Sequence, residues 1–262
     1  MKILLNGALG YMGREVVRLC NEGFRGASLA FGVDPSVSAD TELPVFSGLD
    51  AIPSPQEADC IIDFSHHSVT APLIDFAVAN KLPIVIATTG HTLDEQEIIM
   101  NASEKIPVFY SRNMSLGIAL LVELAKTAAA AMPDADIEIV EKHHNRKIDA
   151  PSGTAFMIAE GIESIRPDVY AHNGRSGMCK REKNEIGIHA IRMGNIIGEH
   201  EVYICTPSQT ITLKHEAHNR ALFAEGAIAA AAFLVNQQPG FYQMNDMIDS
   251  VRRQEDAVIS AD

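Results

Sequence analysis

The N-terminal part of the chain repeats one pattern, in which a short apolar run is followed by a segment with helical spacing. The runs predicted to be strands are Lys2–Asn6, Ser28–Val33, Asp59–Ser65, Pro83–Ala87 and Pro107–Tyr110. Short apolar runs that alternate with helices are typical of a parallel sheet covered by helices on both faces. The sequence therefore predicts an α/β fold with a doubly wound parallel sheet.

The first of these strands leads into a glycine-rich turn, Gly7–Gly13, and the segment Arg14–Cys20 that follows has helical spacing. Glycines in such a turn let a pyrophosphate approach backbone N–H groups at a helix N-terminus. The spacing is GxxGxxG rather than GxGxxG, so the motif alone is weak evidence. Asp34 strengthens it, because an acid after the second strand can bond both ribose hydroxyls of NAD and repel the 2′-phosphate of NADP; its alternative is a plain capping role. Turn and acid together predict a Rossmann-like dinucleotide-binding domain.

Two later strand ends add candidate ligand contacts. His66 follows the third strand, where ligands of open α/β sheets bind, and could meet a cofactor diphosphate. The alternative is a solvated histidine that caps a helix. Thr88, Thr89 and Gly90 follow the fourth strand and are candidate neighbours of a nicotinamide, because small residues admit a flat ring close to the backbone. Their alternative is a cap for the helix predicted near Leu93–Glu104.

The segment Glu141–Ala155 concentrates titratable residues between a predicted strand and a predicted helix. Residues 136–141 alternate polar and apolar as in a half-buried strand, and Ser152 is a good N-cap. The residues between them include two histidines, two cations and an acid: His143, His144, Arg146, Lys147 and Asp149. The N–H groups of Gly153 and Thr154 would face this cluster, an arrangement suited to a carboxylate. A solvated loop is the alternative; zinc is weaker, because adjacent histidines diverge on a strand and no cysteine pair lies near.

Composition disfavours several functional classes. The formal net charge of −13, from 34 acids and 21 cations, argues against nucleic acid as a partner. The cysteines lack CxxC spacing, and Cys20, Cys60 and Cys205 are expected to be buried free thiols of a reducing compartment. No metal site is predicted. With no signal-peptide pattern and no apolar run of membrane-spanning length, we expect a cytoplasmic protein without a membrane partner.

The second half of the chain has a different pattern. Between long helices predicted at Leu116–Met132 and Arg220–Val235, three strand runs are joined by short turns: Glu185–Met193, Glu199–Thr206 and Thr210–Glu216. This arrangement predicts a smaller α+β domain with a mixed or antiparallel sheet. Residues 35–55 are expected to be a loop, residues 241–251 a short amphipathic tail, and the last ten residues frayed.

Five stretches, in order along the chain, resemble one known family. They are GALGYMG at Gly7–Gly13, ATTGH at Ala87–His91, SRNMSLG at Ser111–Gly117, EIVEKHHNRKIDAPSGTA at Glu138–Ala155 and EIGIHAIRMGNIIGEHEV at Glu185–Val202. The family is that of the 4-hydroxy-tetrahydrodipicolinate reductases, or dihydrodipicolinate reductases, of the diaminopimelate route to lysine. The HHxxKxDAPSGTA signature is highly specific, and the resemblance covers nearly the whole chain.

The resemblance implies an enzyme that transfers hydride from NADH or NADPH into a cyclic imine dicarboxylate, which forms when a 4-hydroxy substrate loses water on the enzyme or in solution. It implies that His143 is the proton donor, assisted by Lys147, and that His144, Lys147, Gly153 and Thr154 bind the substrate. An imidazole suits this task because it exchanges protons readily near neutral pH. The resemblance further implies a dinucleotide-binding domain of residues 1–112 completed by 221–262, a substrate-binding and oligomerisation domain of residues 113–220, and a homotetramer.

The predicted cofactor contacts combine the glycine turn, the strand ends and the residues that match the family. They are Gly7, Ala8, Leu9, Gly10, Tyr11, Met12, Gly13, Asp34, Ser65, His66, Ala87, Thr88, Thr89, Gly90, Ser111, Arg112, Asn113 and Met114.

The chain departs from the family at Tyr11 and Pro35, where some relatives carry basic residues, and at His66, where relatives often carry arginine. The first two departures remove positive charge, so we expect a preference for NADH over NADPH; the third leaves the contact of His66 open. Competing interpretations are another NAD(P)-dependent imine or amino-acid dehydrogenase, or a non-catalytic nucleotide-sensing module. The HHxxKxDAPSGTA signature, with His143 and Lys147 both present, disfavours these alternatives.

Overall fold

The computed structural model describes residues 1–38 and 43–259. The chain divides into two compact units, one formed by Met1–Ser115 together with the chain from Ala221 onwards, and the other by Leu116–Arg220. The strands are β1 (Lys2–Asn6), β2 (Ser28–Val33), β3 (Val45–Phe46), β4 (Cys60–Asp63), β5 (Ile84–Ile86), β6 (Pro107–Tyr110), β7 (Asp136–His143), β8 (Tyr170–Asn173), β9 (Glu185–Arg192), β10 (Glu199–Thr206), β11 (Gln209–Glu216) and β12 (Gly240–Tyr242). The helices are α1 (Tyr11–Asn21), α2 (Thr70–Asn80), α3 (Leu93–Ala102), α4 (Leu116–Ala131), α5 (Gly153–Glu163), α6 (Ala221–Leu234) and α7 (Met244–Ile259).

The first unit is built on a parallel sheet of seven strands in the order β12-β6-β5-β4-β1-β2-β3. Successive residues of its central strands are buried, for example Ile3, Leu4 and Leu5 in β1 and Ile61 and Ile62 in β4. Burial of both alternating faces means that apolar material covers the sheet on both sides. The prediction of a doubly wound parallel sheet is confirmed.

The second unit contains a five-stranded sheet in the order β11-β10-β7-β9-β8. The pairs β7–β9 and β8–β9 are parallel, whereas β7–β10 and β10–β11 are antiparallel, so the sheet is mixed, as predicted. Burial alternates strictly along β7, where Ile137 and Ile139 point into a core shared with α4 and α5. The core covers one face of this second sheet, and for that reason its strands alternate between polar and apolar residues while those of the first sheet do not.

Several sequence expectations need correction. The strands β3, β8 and β12 were not predicted, since each is short and two of them lie at the edges of the first sheet, where few contacts select a strong apolar pattern. Residues 39–42 of the predicted loop and 260–262 of the expected frayed end lie outside the described residues. Helix α7 continues to Ile259, beyond the point at which fraying was expected.

Within the part of the chain that the structure describes, no helix combines the length and the apolarity needed to cross a membrane.

Candidate active site

The inward row of β7 changes character along the strand. Ile137 and Ile139 lie in the core, and the next two inward positions are Glu141, fully buried, and His143, 8 % exposed. His143 is therefore the last residue of the strand, whereas the sequence placed it in the connection that follows. Side chains at alternate positions of a strand share one face, so Glu141 and His143 are brought together by the same periodicity that builds the core.

The carboxylate of Glu141 makes hydrogen bonds to three residues of this region. His143 Nδ1 lies 2.5 Å from its Oε2, and the backbone N–H of Ser152 donates to Oε1 at 3.0 Å. Arg192 donates from both terminal nitrogens, Nη1 to Oε2 at 2.8 Å and Nη2 to Oε1 at 2.7 Å. Burial opposes ionisation of Glu141, but the hydrogen bonds from His143 and Arg192 outweigh it and lower its pKa to about 2.

Sequence reasoning did not select Glu141 or Arg192 as site residues. The available signal was the alternation of β7, which places a carboxylate in the inward row just before the two histidines. Arg192 carried no such signal, because its contact with Glu141 depends on the parallel pairing of β7 with β9, which sets His143 opposite Arg192.

A second buried imidazole, His200 on β10, lies beside His143, with ring centroids 5.2 Å apart. Its Nε2 is 3.2 Å from the hydroxyl of Ser152, which also accepts the N–H of Ala155 at 3.2 Å. Burial, followed by the charge of His143, lowers the pKa of His200 to about 3. His200 is therefore neutral, and the Ser152 hydroxyl is placed to donate to it. The predicted N-cap role of Ser152 is confirmed.

The residues after β7 form a turn tied to the connection between β9 and β10. Asn145 N–H donates to the carbonyl of Gly194 at 3.2 Å, and Arg146 donates to the side chain of Asn195 at 2.9 Å. Lys147 Nζ lies 2.8 Å from Asp149, and this hydrogen bond lowers the pKa of that carboxyl. The turn thus holds Lys147 close to the end of β7.

His144 and the start of α5 complete the predicted substrate residues. Burial, then the charges of Arg146 and Arg220, lower the pKa of His144, whose Nδ1 has no hydrogen-bond partner among the described residues. Gly153 and Thr154 are the first two residues of α5, and Gly153 is exposed. The first N–H groups of a helix lack partners within the helix and favour anions. Among the residues that the structure describes, no cluster of histidine, cysteine, aspartate or glutamate is suited to a metal ion.

In the first unit, the glycine turn after β1 is a close-packed cradle. Gly7 has a φ of +82°, and a Cβ there would lie 2.4 Å from the carbonyl oxygen of Phe64. A Cβ on Gly13 would lie 2.0 Å from the carbonyl oxygen of Gly7. Both positions therefore require glycine. The turn leads directly into α1, whose N-cap is Gly10 and whose first residue is the exposed Tyr11.

Asp34 closes this cradle from the end of β2. Its Oδ2 accepts the N–H of Leu9 at 3.0 Å and its Oδ1 accepts the N–H of Ser36 at 2.9 Å. Ala8, in the turn, is fully buried, and Met12 is the second residue of α1. A cation that sequence reasoning did not weigh, Arg14, donates from Nε to the carbonyl of Leu9 at 2.9 Å.

The carboxyl ends of β1, β4 and β5 meet in a polar network. Asn6 donates to Asp63 at 2.8 Å and to Ser65 at 3.0 Å, and the N–H of Ser65 donates to Thr88 at 3.0 Å. The predicted residues Ser65 and Thr88 are thus brought together, whereas Thr89 and Gly90 are exposed beyond them and Ala87 is buried.

The remaining residues predicted to contact the cofactor differ from one another in burial and in hydrogen bonding. The ring of His66 accepts the N–H of Ser68 and caps a short helical turn, which is the alternative that the sequence left open. Thr92, rather than Thr88 or Thr89, caps α3. Ser111 and Asn113 bond to each other after β6, and Arg112 between them is exposed. Met114 is buried, and its carbonyl lies where a Cβ on Gly226 would sit, so it packs against α6.

Comparison with known proteins covers both units. Residues 1–114 match the family model described as "Dihydrodipicolinate reductase, N-terminus" and residues 117–248 match "Dihydrodipicolinate reductase, C-terminus". A 4-hydroxy-tetrahydrodipicolinate reductase of Caldanaerobacter subterraneus is 44 % identical over 250 residues, covering 95 % of this chain and 98 % of the relative. One of Clostridium tetani is 41 % identical over 252 residues, again 95 % and 98 % of the two chains.

Comparison with solved structures points to the same family. A dipicolinate-bound dihydrodipicolinate reductase from Paenisporosarcina sp. TG-14 has a TM-score of 0.78 at 26 % identity, covering 93 % of this chain and 97 % of that one. A probable dehydrogenase from Thermotoga maritima, with a TM-score of 0.66 at 10 % identity over 94 % of this chain and 92 % of that one, shares the fold alone. The chain belongs to the dihydrodipicolinate reductase family.

Proposed function

We propose that the chain reduces 4-hydroxy-tetrahydrodipicolinate to tetrahydrodipicolinate with a nicotinamide cofactor, and that His143 donates the proton with Lys147 beside it. The observation that carries the proposal is the segment 141–155, where a buried acid, an imidazole, a lysine and a helix N-terminus follow one another. Family membership supplies the reaction; the segment supplies the groups that the reaction needs.

The glycine cradle fits a dinucleotide. A side chain at Gly7 or Gly13 would collide with neighbouring backbone, so glycine is what permits this close-packed turn into α1. A pyrophosphate can approach the backbone N–H groups at such a helix start. Asp34 retains further lone pairs for ribose hydroxyls, since each of its oxygens accepts one N–H from the chain. When bound, the cofactor supplies the hydride.

The substrate carboxylates are assigned to the cations and N–H groups of the turn. Lys147 offers an ammonium, and the start of α5 offers N–H groups at Gly153 and Thr154 with a favourable helix dipole. His144, whose Nδ1 is without a partner among the described residues, is proposed to complete the set. That the solved Paenisporosarcina relative is bound to dipicolinate, a cyclic dicarboxylate, supports this assignment.

His143 acts as the acid. Hydride addition to a conjugated imine leaves negative charge on the ring, and a proton from His143 neutralises it. Lys147, charged beside a dianion, stabilises the same developing charge.

The test follows loss of NADH absorbance with freshly generated substrate. His143→Gln should lower kcat by about 10²-fold or more, because general acid catalysis contributes on that order. Lys147→Ala should raise KM and lower kcat. His189→Gln, on the opposite face of the same sheet, is the matched control and should retain the parent rate. A His143→Gln enzyme that works at the parent rate would remove His143 as proton donor.

The cofactor preference proposed is NADH. Asp34 would repel a 2′-phosphate, and neither Tyr11 nor Pro35 supplies a cation to offset it. Arg14 is engaged by the carbonyl of Leu9 through Nε. We expect a higher kcat/KM with NADH than with NADPH at low salt. Asp34→Ala should reduce the ratio of the NADH value to the NADPH value. A parent enzyme that prefers NADPH would contradict this assignment.

A homotetramer is proposed for the assembly. The face of the second sheet opposite α4 and α5 carries paired charges such as Lys142 with Glu199 and Glu201, and Lys214 with Glu216. Such a half-exposed sheet face is suited to pairing with another copy. Light scattering coupled to size exclusion should give four chains; a monomer at micromolar concentration would refute it.

A further inference from the structure

We propose that Glu141 is a positioning residue for His143, which it holds with Nδ1 protonated and directed to the carboxylate, so that Nε2 is the nitrogen that exchanges the proton with the substrate. The proposal rests on the proposed function, since it matters only if His143 is the proton donor. It assigns Arg192 and the Ser152 N–H the task of holding Glu141.

The hydrogen bonds impose the direction of the ring. An ionised carboxylate only accepts, so the 2.5 Å contact between His143 Nδ1 and Glu141 Oε2 requires the proton to be on Nδ1. The low pKa of Glu141, about 2, keeps the carboxylate ionised over the range in which an imidazole titrates. Neutral His143 is thereby confined to one tautomer, with a free lone pair on Nε2.

Gly198, which has no side chain, lies beside the other edge of the His143 ring. Within the described residues the ring of His143 is hydrogen-bonded through Nδ1, and Nε2 faces Gly198, where a Cβ would lie only 3.1 Å away. Because residue 198 is a glycine, space remains beside Nε2, the nitrogen proposed to exchange the proton with the substrate.

Glu141 cannot turn away from His143. Arg192 grips both of its oxygens, and the same Nη2 donates to the carbonyl of Asp149 at 2.6 Å, tying the carboxylate to the turn that carries Lys147. The Ser152 N–H adds a third donor from the cap of α5. Arg192 belongs to β9 and Ser152 precedes α5, so donors from two segments hold the carboxylate in addition to the ring of His143.

The remaining groups around His143 do not take over this role. His200 on β10 is neutral and its Nε2 is engaged by the Ser152 hydroxyl. Lys147 and His144 on the turn are a cation and a second imidazole, and Asp149 is paired with Lys147. Glu141 is thus the carboxylate that contacts the ring among the described residues.

The strand supplies its own control. Glu138, also on β7 but on the opposite face, contacts Arg175 at 3.3 Å, Arg181 at 3.2 Å and His189 at 2.7 Å. It therefore repeats the composition of the Glu141 cluster, a glutamate with arginine and histidine partners. A purely structural effect of neutralising a paired glutamate in β7 should appear at both positions.

The experiment compares Glu141→Gln with Glu138→Gln by the pH dependence of kcat and kcat/KM. Glu141→Gln should lower kcat by about 10²-fold or more with substrate KM within about threefold, as expected when an acid loses its orienting carboxylate. The pH profile of kcat/KM should change as well, because the variant lacks the anion beside the ring. Glu138→Gln should leave the pH dependence of kcat and of kcat/KM unchanged. Glu141→Asp, which keeps the charge, should retain the parent pH dependence and recover part of kcat.

A second measurement needs no change at Glu141. Nitrogen-15 NMR of the histidine-labelled parent, with the His143 signals assigned by their absence in His143→Gln, should show Nδ1 protonated and Nε2 bare in the neutral ring. The opposite tautomer would overturn the proposal even if Glu141→Gln failed to fold. So would parent-like profiles for Glu141→Gln, or identical changes in the Glu138 and Glu141 variants.

The two proposals fail separately. If His143→Gln keeps the parent rate, the proposed proton donor is wrong whatever Glu141 does. If His143→Gln is inactive but Glu141→Gln behaves as the parent, only the positioning role is wrong.

Discussion

His200 should make the second unit sensitive to mild acid. Burial and the neighbouring His143 lower its pKa from 6.5 to about 3, so the folded state resists a proton that the unfolded chain accepts. A group whose pKa is lowered by folding contributes stability above its unfolded pKa and loses it as pH falls. The sensitive range therefore runs from about pH 6.5 down to about pH 3.

The size of the effect follows from linkage. A pKa of about 3 against 6.5 corresponds to about 5 kcal/mol of lost stability once the pH is below both values. Most glutamates and aspartates of an unfolded chain are still ionised at about pH 5. At that pH the same relation gives a loss of about 2 kcal/mol in the free energy of unfolding. That is a large share of the 5–15 kcal/mol typical of a folded domain.

The assay is urea unfolding followed by far-ultraviolet circular dichroism, since the chain has no tryptophan. Parent and His200→Gln are compared at one protein concentration, at about pH 7.5 and about pH 5. The parent should lose about 2 kcal/mol more than the variant between the two conditions. His218→Gln, which removes an exposed imidazole of the same unit, controls for the number of histidines. Equal losses in parent and His200→Gln would refute the reasoning, whatever their absolute stabilities.

Three further predictions concern single side chains. Gly13→Ala places a Cβ 2.0 Å from the Gly7 carbonyl oxygen and should cost about 3 kcal/mol of unfolding free energy and most NADH affinity, measured by denaturation and fluorescence titration. Gly198→Ala, with a Cβ 3.1 Å from His143 Nε2, should lower kcat about tenfold while the melting temperature changes little; an unchanged kcat would contradict the open edge of the ring. Thr92→Ala removes one half of the capping box with Glu95 and should cost about 1 kcal/mol in urea unfolding without altering kcat, whereas no loss would show that the cap is dispensable.

The fold was predictable from the sequence where periodicity is strong. The buried runs of β1, β4 and β6 differ plainly from the alternating runs of β7 and β10, and that contrast separates the parallel sheet from the mixed one. The two-residue strand β3 and the three-residue strand β12 are too short to carry a period, and tertiary pairing alone defines them.

The candidate site was predictable in part. The cluster around His143 and Lys147 is contiguous in sequence, so composition and the family signature both point to it. Arg192 and His200 lie in other strands, and only sheet register brings them to Glu141 and His143. Local sequence does not encode which partner a buried glutamate will find, and for that reason the contacts of Glu141 were missed while the cluster around His143 was predicted.

The position of His143 at the end of the row that begins with Ile137 and Ile139 has a consequence for how this enzyme can change. A one-residue insertion within β7 would put the residues before it and after it on opposite faces of the strand. Between Glu141 and His143 it would separate the imidazole from its carboxylate, and between Ile139 and Glu141 it would separate the core row from both. An insertion in the turn between Asn145 and Ala150 would instead shift Lys147 and the Asp149 carbonyl that Arg192 contacts. The imidazole at position 143 is therefore as constrained as the hydrophobic interior that carries it, whereas the length of the turn that follows can change without moving that interior.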